Sequence, residues 1–566
     1  MKKLVVLEAS QKQNYIFRTN ELAENVGASM IIRYITEELP DQFLDPDLKR
    51  EETVFRGGGK SVFEFDASDD GNRARRFCRE LSERVLTDYP GIELFMATNE
   101  YNEQKDDIAS KIDELYGKLE KKKASREAYF RFYGPGVAAL CTDTGEPASG
   151  FNRYRPEKSD VPMSAESLGK MKAAIEKRAY TDEQGHSFQM SGQDAFFHEF
   201  LPDPEKYRFA NEFEELGGTQ GVKSYIAVIA ADGNRMGNKI KKFRSEFKKS
   251  SKKLSPLDRN QKYKEEFASL SRTLDDNYRD AVKETIRFTA DHLEEMEKDF
   301  GLNVSHDGGR TVLPIRPLIV SGDDICILCD ARISISFTEY MLKNIDGRQI
   351  TSSIVKKPMP MHACAGIAMV RSHYPFFRAH ELAEQLCNNA KSVLPADEKS
   401  ADAGDESVLD FHIVQGELEG SLGEIRKEKY RNGRLTNKPY YICALNKNLP
   451  SPSGKAKKGS GGTDVPIRKN SLPYFKERMD ELKGTIARSA LKAYREALAA
   501  GRQQTETFIN HKRLQDKLKI EDIFDGAGEE EHCVDFDVIE MMDIYHPIEA
   551  AGSEHTAQKE DSEGGE

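Results

Sequence analysis

Short continuous apolar runs bounded by polar turns alternate along the chain with longer stretches whose apolar residues fall three and four apart. That pattern predicts strands mixed with amphipathic helices. Residues 225–231 (YIAVIAA) are all small or apolar, as in a strand covered on both faces. The run ends in Asp232, and Gly233, Asn234 and Gly237 then make a loop opening into a helix from Met236. Residues 317–330 (PLIVSGDDICILCD) are apolar over 318–320, polar at Ser321-Gly322-Asp323-Asp324 and apolar again over 325–328, which reads as a β-hairpin. Residues 53–66 (TVFRGGGKSVFEFD) repeat that logic with the turn Gly57-Gly58-Gly59-Lys60. Further strands are expected at 3–8, 92–97, 362–370 and 408–416. Helices are expected from about Glu21 (Ala23, Val26, Met30, Ile31 and Ile35 on one side), over 72–88, and after Pro375 with Ala379, Leu382, Leu386 and Ala390 inward.

The hairpin at 317–330 carries two adjacent carboxylates at its tip, where Gly322 permits a tight backbone. Such a pair repels unless a cation sits between, and hard oxygen ligands at that density suit Mg²⁺ or Mn²⁺. A solvated Asp-rich turn is the common fate of an isolated GDD. The strand ending in Asp232 changes the picture: its Asp can hold a metal, and the free N–H groups of the loop and first helical turn can cradle a phosphate. Strand-loop-helix followed by an acidic hairpin is the order of the metal-binding halves of a palm domain. Palm domains of polymerases and nucleotidyl cyclases place two Mg²⁺ for in-line attack at phosphorus. Residues 1–100 then look like a second palm without the metal site, a weak repeat of pattern rather than identity. There Gly58 and Lys60 can bind phosphate through backbone N–H and ammonium, or the turn is simply a tight hairpin.

The 566 residues suggest three or four domains. With 84 Lys+Arg against 96 Asp+Glu, the net charge of −12 argues against a generally basic nucleic-acid coat. The eight cysteines show no zinc spacing, and Cys326 and Cys329 read as core residues. No apolar run reaches membrane-spanning length and the start carries no signal peptide, so a cytoplasmic protein with no membrane partner is expected. The Lys/Glu-rich stretch 105–130 reads as a solvated helix. So does the basic run Lys239, Lys241, Lys242, Arg244, Lys248, Lys249, Lys252 and Lys253, since basic runs alone are unspecific. Lys391 is a helix C-terminal cation, placed where it can also meet a nucleotide's phosphates.

The stretches NYIFRTNELAENVGAS and FRGGGKSVFEF in the first palm, SYIAVIAADGNRMG, VSGDDI, AGIAMVRSHYPF and AEQLCNNAK in the second, and LDFHIVQG after it carry a resemblance. In that order and spacing the chain resembles the large polymerase-like subunit of type III CRISPR effector complexes, whose second palm is shared with GGDEF-type diguanylate cyclases. The resemblance implies an α/β (α+β) fold of two ferredoxin-like palm domains with a helical insertion and a C-terminal helical domain. The expected division is 1–104 first palm, 105–215 insertion, 216–446 second palm, 447–470 flexible linker, 471–548 helical domain and 549–566 acidic disordered tail. It implies two facing palms that bind ATP and join nucleotides into cyclic oligoadenylate, a second messenger of antiviral defence. Asp323 and Asp324, helped by Asp232, would be the catalytic metal ligands for Mg²⁺ or Mn²⁺. Gly233, Asn234, Gly237 and Gly322, with Lys391 beside them, would hold triphosphate, and Gly58 and Lys60 a second nucleotide. Other CRISPR effector subunits with guide and target RNA are the implied partners. DNA cleavage is not expected. The alternatives are a catalytically silent nucleotide-binding scaffold subunit and a template-copying polymerase, the latter needing a basic channel that an acidic chain supplies poorly.

Overall fold

The computed structural model describes residues 1–48, 52–67, 72–126, 136, 138–181, 187–216, 225–355, 357–395, 405–416, 420–431, 433–444, 468–526 and 532–548. The linker expected at 447–470 lies outside the described residues up to 467, as does the tail at 549–566.

Strand β1 (Lys2–Ser10) lies inside a four-stranded antiparallel sheet. After it come α1 (Leu22–Arg33), the hairpin β2 (Thr53–Gly57) and β3 (Lys60–Asp66), α2 (Asn72–Asp88) and β4 (Glu93–Tyr101). The strand order is β2-β3-β1-β4, the ferredoxin-like arrangement. Because side chains alternate along a strand, Val5 and Leu7 pack with Phe63, Phe77 and Leu81 on one face, and Leu4 and Val6 join the main core on the other. On that second side lies α3 (Ile108–Ala124), whose Ile108, Ile112, Leu115 and Leu119 are buried. The expectation of a merely solvated helix at 105–130 is corrected: its charges cover one side while an apolar stripe seals the first sheet.

In the insertion, α4 (Ala165–Ile175), N-capped by Ser164, packs on α1. The second sheet opens with β5 (Tyr225–Gly233) and continues through α5 (Met236–Ser250), the long α6 (Pro256–Asp291) and α7 (Leu293–Phe300) to the hairpin β6 (Ile315–Ser321) and β7 (Asp324–Asp330). Then come α8 (Ser334–Asp346), β8 (Ala363–Arg371), α9 (Phe376–Ser392), β9 (Val408–Ile413) and β10 (Tyr440–Tyr441). The order β6-β7-β5-β8-β9-β10 repeats the first sheet's topology in its first four strands, then adds β9 parallel to β8 and the short β10. The repeat seen in the sequence as pattern is thus a repeat of topology. In the basic run, Lys239 departs from the solvated reading. It is buried and pairs with buried Asp405 at 3.4 Å, because an ammonium withdrawn from water needs a counter-charge.

The C-terminal part is helical, with α10 (Leu472–Thr485), α11 (Leu491–Ala500), α12 (Arg502–Lys512) and α13 (Val534–Met541). It packs on the far edge of the second sheet, where the Phe475 ring meets Phe411 at 5.9 Å and Tyr440 at 5.2 Å. The two sheets are joined directly: Phe17 stacks on His380 at 3.7 Å, and the Phe376 N–H donates to Asn20 Oδ1 at 2.8 Å. Among the described residues no helix is long and apolar enough to cross a membrane.

The fit of α9 on the second sheet depends on Gly366 of β8. A Cβ there would lie 2.2 Å from the Ala383 carbonyl oxygen and 2.3 Å from the Cys387 nitrogen, both backbone atoms. Gly366→Ala is therefore expected to cost about 1–3 kcal/mol of stability in denaturant unfolding; an unchanged midpoint would contradict this packing.

Candidate active site

The register of the second sheet places the acidic residues. Asp232 near the end of β5 is the cross-strand partner of Asp324, the first residue of β7. Residues directly opposed on antiparallel strands share a face with Cβ atoms about 4.5–5.5 Å apart. Asp323 precedes them in the turn. Its carbonyl accepts the Gly233 N–H at 3.2 Å, and its Cβ lies 2.8 Å from where a Cβ on Gly233 would sit. Gly322 takes φ +60°, the left-handed region that suits glycine, and its N–H donates to Asp275 Oδ1 of α6 at 2.9 Å. Three carboxylates thus gather at one end of the sheet.

Their electrostatics follow from that crowding. Burial, then the charge of Asp232, pushes the Asp323 carboxyl up to about 6. Asp324 is also raised, by burial first and by Asp232, with Lys12 and Lys391 opposing. Glu384 of α9 is raised by burial, then by Asp324 and Asp232. One cation answers them directly: Lys391 Nζ sits 2.5 Å from Asp232 Oδ2. Burial disfavours the Lys391 charge, but the pair with Asp232 wins and holds its ammonium above the usual lysine range.

The donor set is anionic oxygen, the chemistry Mg²⁺ or Mn²⁺ takes. As they stand, the carboxylates do not surround one point. Among the described residues no three Asp, Glu, His or Cys side chains are disposed to hold a cation, and Asp232 is turned onto Lys391. The residues fit a divalent ion by type and proximity; the arrangement around it requires Asp232 to leave the lysine.

A cleft of ≈ 2670 Å³ lies between the two sheets. The turn Gly57-Gly58-Gly59-Lys60 lines it from one side, and Asp232, Gly322, Asp323 and Asp324 from the other. Position for position, the first sheet carries a different pair: Glu8 of β1 is the partner of Lys60 of β3, where the second sheet sets Asp232 against Asp324. Lys60 Nζ meets Glu8 Oε2 at 3.4 Å, and Lys123 meets Oε1 at 3.3 Å. An ammonium therefore neutralises the first sheet's carboxylate internally.

Two expected phosphate contacts are corrected. The Gly233 and Asn234 amides are not free: they donate to the carbonyls of Asp323 at 3.2 Å and His362 at 2.9 Å. The Asn234 side chain is 2% exposed and donates to the Glu406 carbonyl at 2.9 Å, because a buried amide must find a partner. Gly233 has a packing role instead, since a Cβ there would lie 2.2 Å from the Tyr278 hydroxyl. Gly237 is exposed in the first turn of α5.

Several residues at the site escaped the sequence reading. Lys12 donates to the Gly58 carbonyl at 2.8 Å, Gln13 donates to Glu384 Oε1 at 3.2 Å, and Asp275 and Tyr278 of α6 line the cleft. Glu384 lies two helical turns before Lys391, on the same face, a spacing the sequence did display. Nothing comparable marks Lys12, Asp275 or Tyr278.

Residues 225–399 match the family model described as Cas10/Cmr2, second palm domain. No curated protein matches the sequence. Solved structures that resemble it include a Csm1-Csm4 cassette in complex with cA3, at 14% identity and TM-score 0.37, covering 69% of this chain and 53% of that one. The apo Csm1-Csm4 cassette resembles it at 15% identity and TM-score 0.39, covering 71% and 55%. The cassette in complex with AMPPNP does so at 14% and 0.38, covering 71% and 56%. The chain thus spans little more than half the length of these solved chains, and likeness this distant carries no conclusion about chemistry.

Gly233→Ala is expected to destabilise the fold by about 1–3 kcal/mol, and Tyr278→Phe in the same chain to restore part of that by removing the clashing hydroxyl. Denaturant midpoints of the single and double variants decide it, and no recovery in the double variant would refute the contact. A pH effect follows from Asp323. Its folded pKa is raised above the unfolded value, so the folded state binds the extra proton and stability falls as pH rises from about 4 through about 6. With a chelator present, Asp323→Asn should gain on the order of 1 kcal/mol over wild type at pH 7, and the difference should vanish below about pH 4. A gain that persists at acid pH would show another cause.

Proposed function

With residues 225–399 a Cas10/Cmr2 second palm domain, we propose that the chain is a metal-dependent nucleotidyltransferase. It binds ATP and makes cyclic oligoadenylate-type second messengers in antiviral defence. The observation that carries this is the register: Asp232 and Asp324 share a face at the mouth of the cleft, with Asp323 beside them. A ribose 3′-hydroxyl of one nucleotide attacks the α-phosphorus of the next. The new P–O bond forms as the bond to pyrophosphate breaks, and the hydroxyl proton passes to solvent. A divalent cation held by Asp232, Asp323 and Asp324 would neutralise phosphate charge and lower the hydroxyl's pKa. The Gly237 end of α5 faces the triphosphate of one nucleotide; the Gly322 N–H, expected there too, is taken by Asp275. Gly58 and Lys60 of the opposite turn face the other, and Lys391 passes from Asp232 to a phosphate oxygen when nucleotide enters. Other type III CRISPR effector subunits with guide and target RNA are the proposed partners.

One observation favours a second reading, a nucleotide-binding scaffold subunit that does not synthesise. The Asp232–Lys391 pair at 2.5 Å keeps one carboxylate out of a metal-ready arrangement.

The test is to incubate the purified chain with each nucleoside triphosphate and Mg²⁺ or Mn²⁺, with and without target RNA bound to its guide complex, and to resolve the products by chromatography. Wild type should yield cyclic adenylate products. Asp323→Ala and Asp324→Ala should each lower the yield by at least about 100-fold, since even loss of a group supporting a metal ligand costs about 10–100-fold. Equal products from wild type and both variants would overturn the site assignment, and ATP binding without product under every condition would favour the scaffold.

A further inference from the structure

Helix α6 touches both turns that line the cleft, and it does so with one stripe. Lys264 pairs with Glu64 of β3 at 3.0 Å, the Phe267 ring meets Phe55 of β2 at 5.6 Å, and Ser271 Oγ lies 3.8 Å from the Cβ position of Gly57. Asp275 Oδ1 takes the Gly322 N–H at 2.9 Å. Tyr278, fully buried, presses its hydroxyl against Gly233 beside Asp323, with no hydrogen-bond partner for that hydroxyl among the described residues. The positions 264, 267, 271, 275 and 278 step by three and four, so they lie along one face. From Lys264 to Tyr278 the helix rises roughly 21 Å at about 1.5 Å per residue. The first half of the stripe meets the glycine turn's sheet and the second half meets the carboxylate turn.

Asp275 is held for its task. Its other oxygen, Oδ2, lies 3.6 Å from Arg279 Nη1, one turn further along the same helix. The residue thus spends one oxygen on the cation and one on the turn. The bond it makes is to a backbone N–H, at a glycine with φ of +60° in the turn itself. A hydrogen bond to a charged acceptor is worth more than a neutral one.

We propose that Asp275 is the positioning residue of the carboxylate turn, and that α6 sets the placement of that turn relative to the glycine turn of the first sheet. Asp275 acts through Gly322 on Asp323 and Asp324 and does not itself meet the reacting atoms. The inference rests on the reading of those two aspartates as the reacting end of the cleft.

The test uses the full chain with Asp275→Ala and Asp275→Asn, the latter keeping an oxygen at Oδ1. Hydrogen–deuterium exchange of the peptide spanning residues 318–326 reads the turn without any need for activity. Exchange should rise about tenfold in Asp275→Ala and by less in Asp275→Asn, which keeps a neutral acceptor in place of the charged one. With ATP and Mg²⁺, kcat of Asp275→Ala should fall by about tenfold or more with KM within about twofold, and Asp275→Asn should recover most of it. Unchanged exchange in Asp275→Ala overturns the inference, as does raised exchange with full kcat, or an Asn variant as impaired as Ala. A wild type that makes no product sinks the synthase reading instead, and the exchange comparison alone then decides whether Asp275 holds the turn.

Discussion

Opposing Asp232 to Asp324 across two antiparallel strands puts two carboxylate-bearing Cβ atoms about 5 Å apart. Two like charges on one face of a sheet repel. The rest of the second sheet makes it bearable. Residues 226–231 of β5 and 325–330 of β7 are buried without interruption, so a slip of one residue would turn every side chain to the opposite face. The charges are therefore held in place by a core that gains nothing from them. Lys391 offsets the charge of Asp232, while burial first and Asp232 second raise the Asp323 carboxyl. The crowding of Asp232, Asp323 and Asp324 at one end of the sheet is therefore the feature that the proposed function has to account for.

Much of this was legible in the chain. Helix α2 spans Asn72–Asp88 as its periodicity predicts, and the hairpin around Gly322 turns where its polar interruption lies. Asp232 and the Asp323–Asp324 pair fall at strand ends because apolar runs must stop where burial stops. What escaped are facts of depth and of the third dimension. Lys239 looks like its neighbours in a basic run, yet its side chain is buried on Asp405. The amides of Gly233 and Asn234 look free in a loop, yet they are taken up by the carbonyls of Asp323 and His362, distant in sequence. The stripe at 108, 112, 115 and 119 was masked by lysines and glutamates that lie on the opposite face of the helix. Asp275 and Tyr278 sit in a charged helix where composition gives no hint that one face looks into a cleft.

The two sheets share a topology and differ in one chemical choice at the same register position. In the second sheet Asp232 faces Asp324; in the first, Glu8 faces Lys60. A carboxylate opposed to an ammonium satisfies itself and leaves no charge for a cation to answer. A carboxylate opposed to a carboxylate does not, and in the second sheet the ammonium comes instead from Lys391 of α9. One cleft thus has a wall whose cross-strand pair is of opposite charge and a wall whose cross-strand pair is doubly acidic, with α6 laid across both. That asymmetry sets the two walls apart chemically although their topology is shared. It follows from a single exchange of charge at one cross-strand pair, and neither sheet alone would show it.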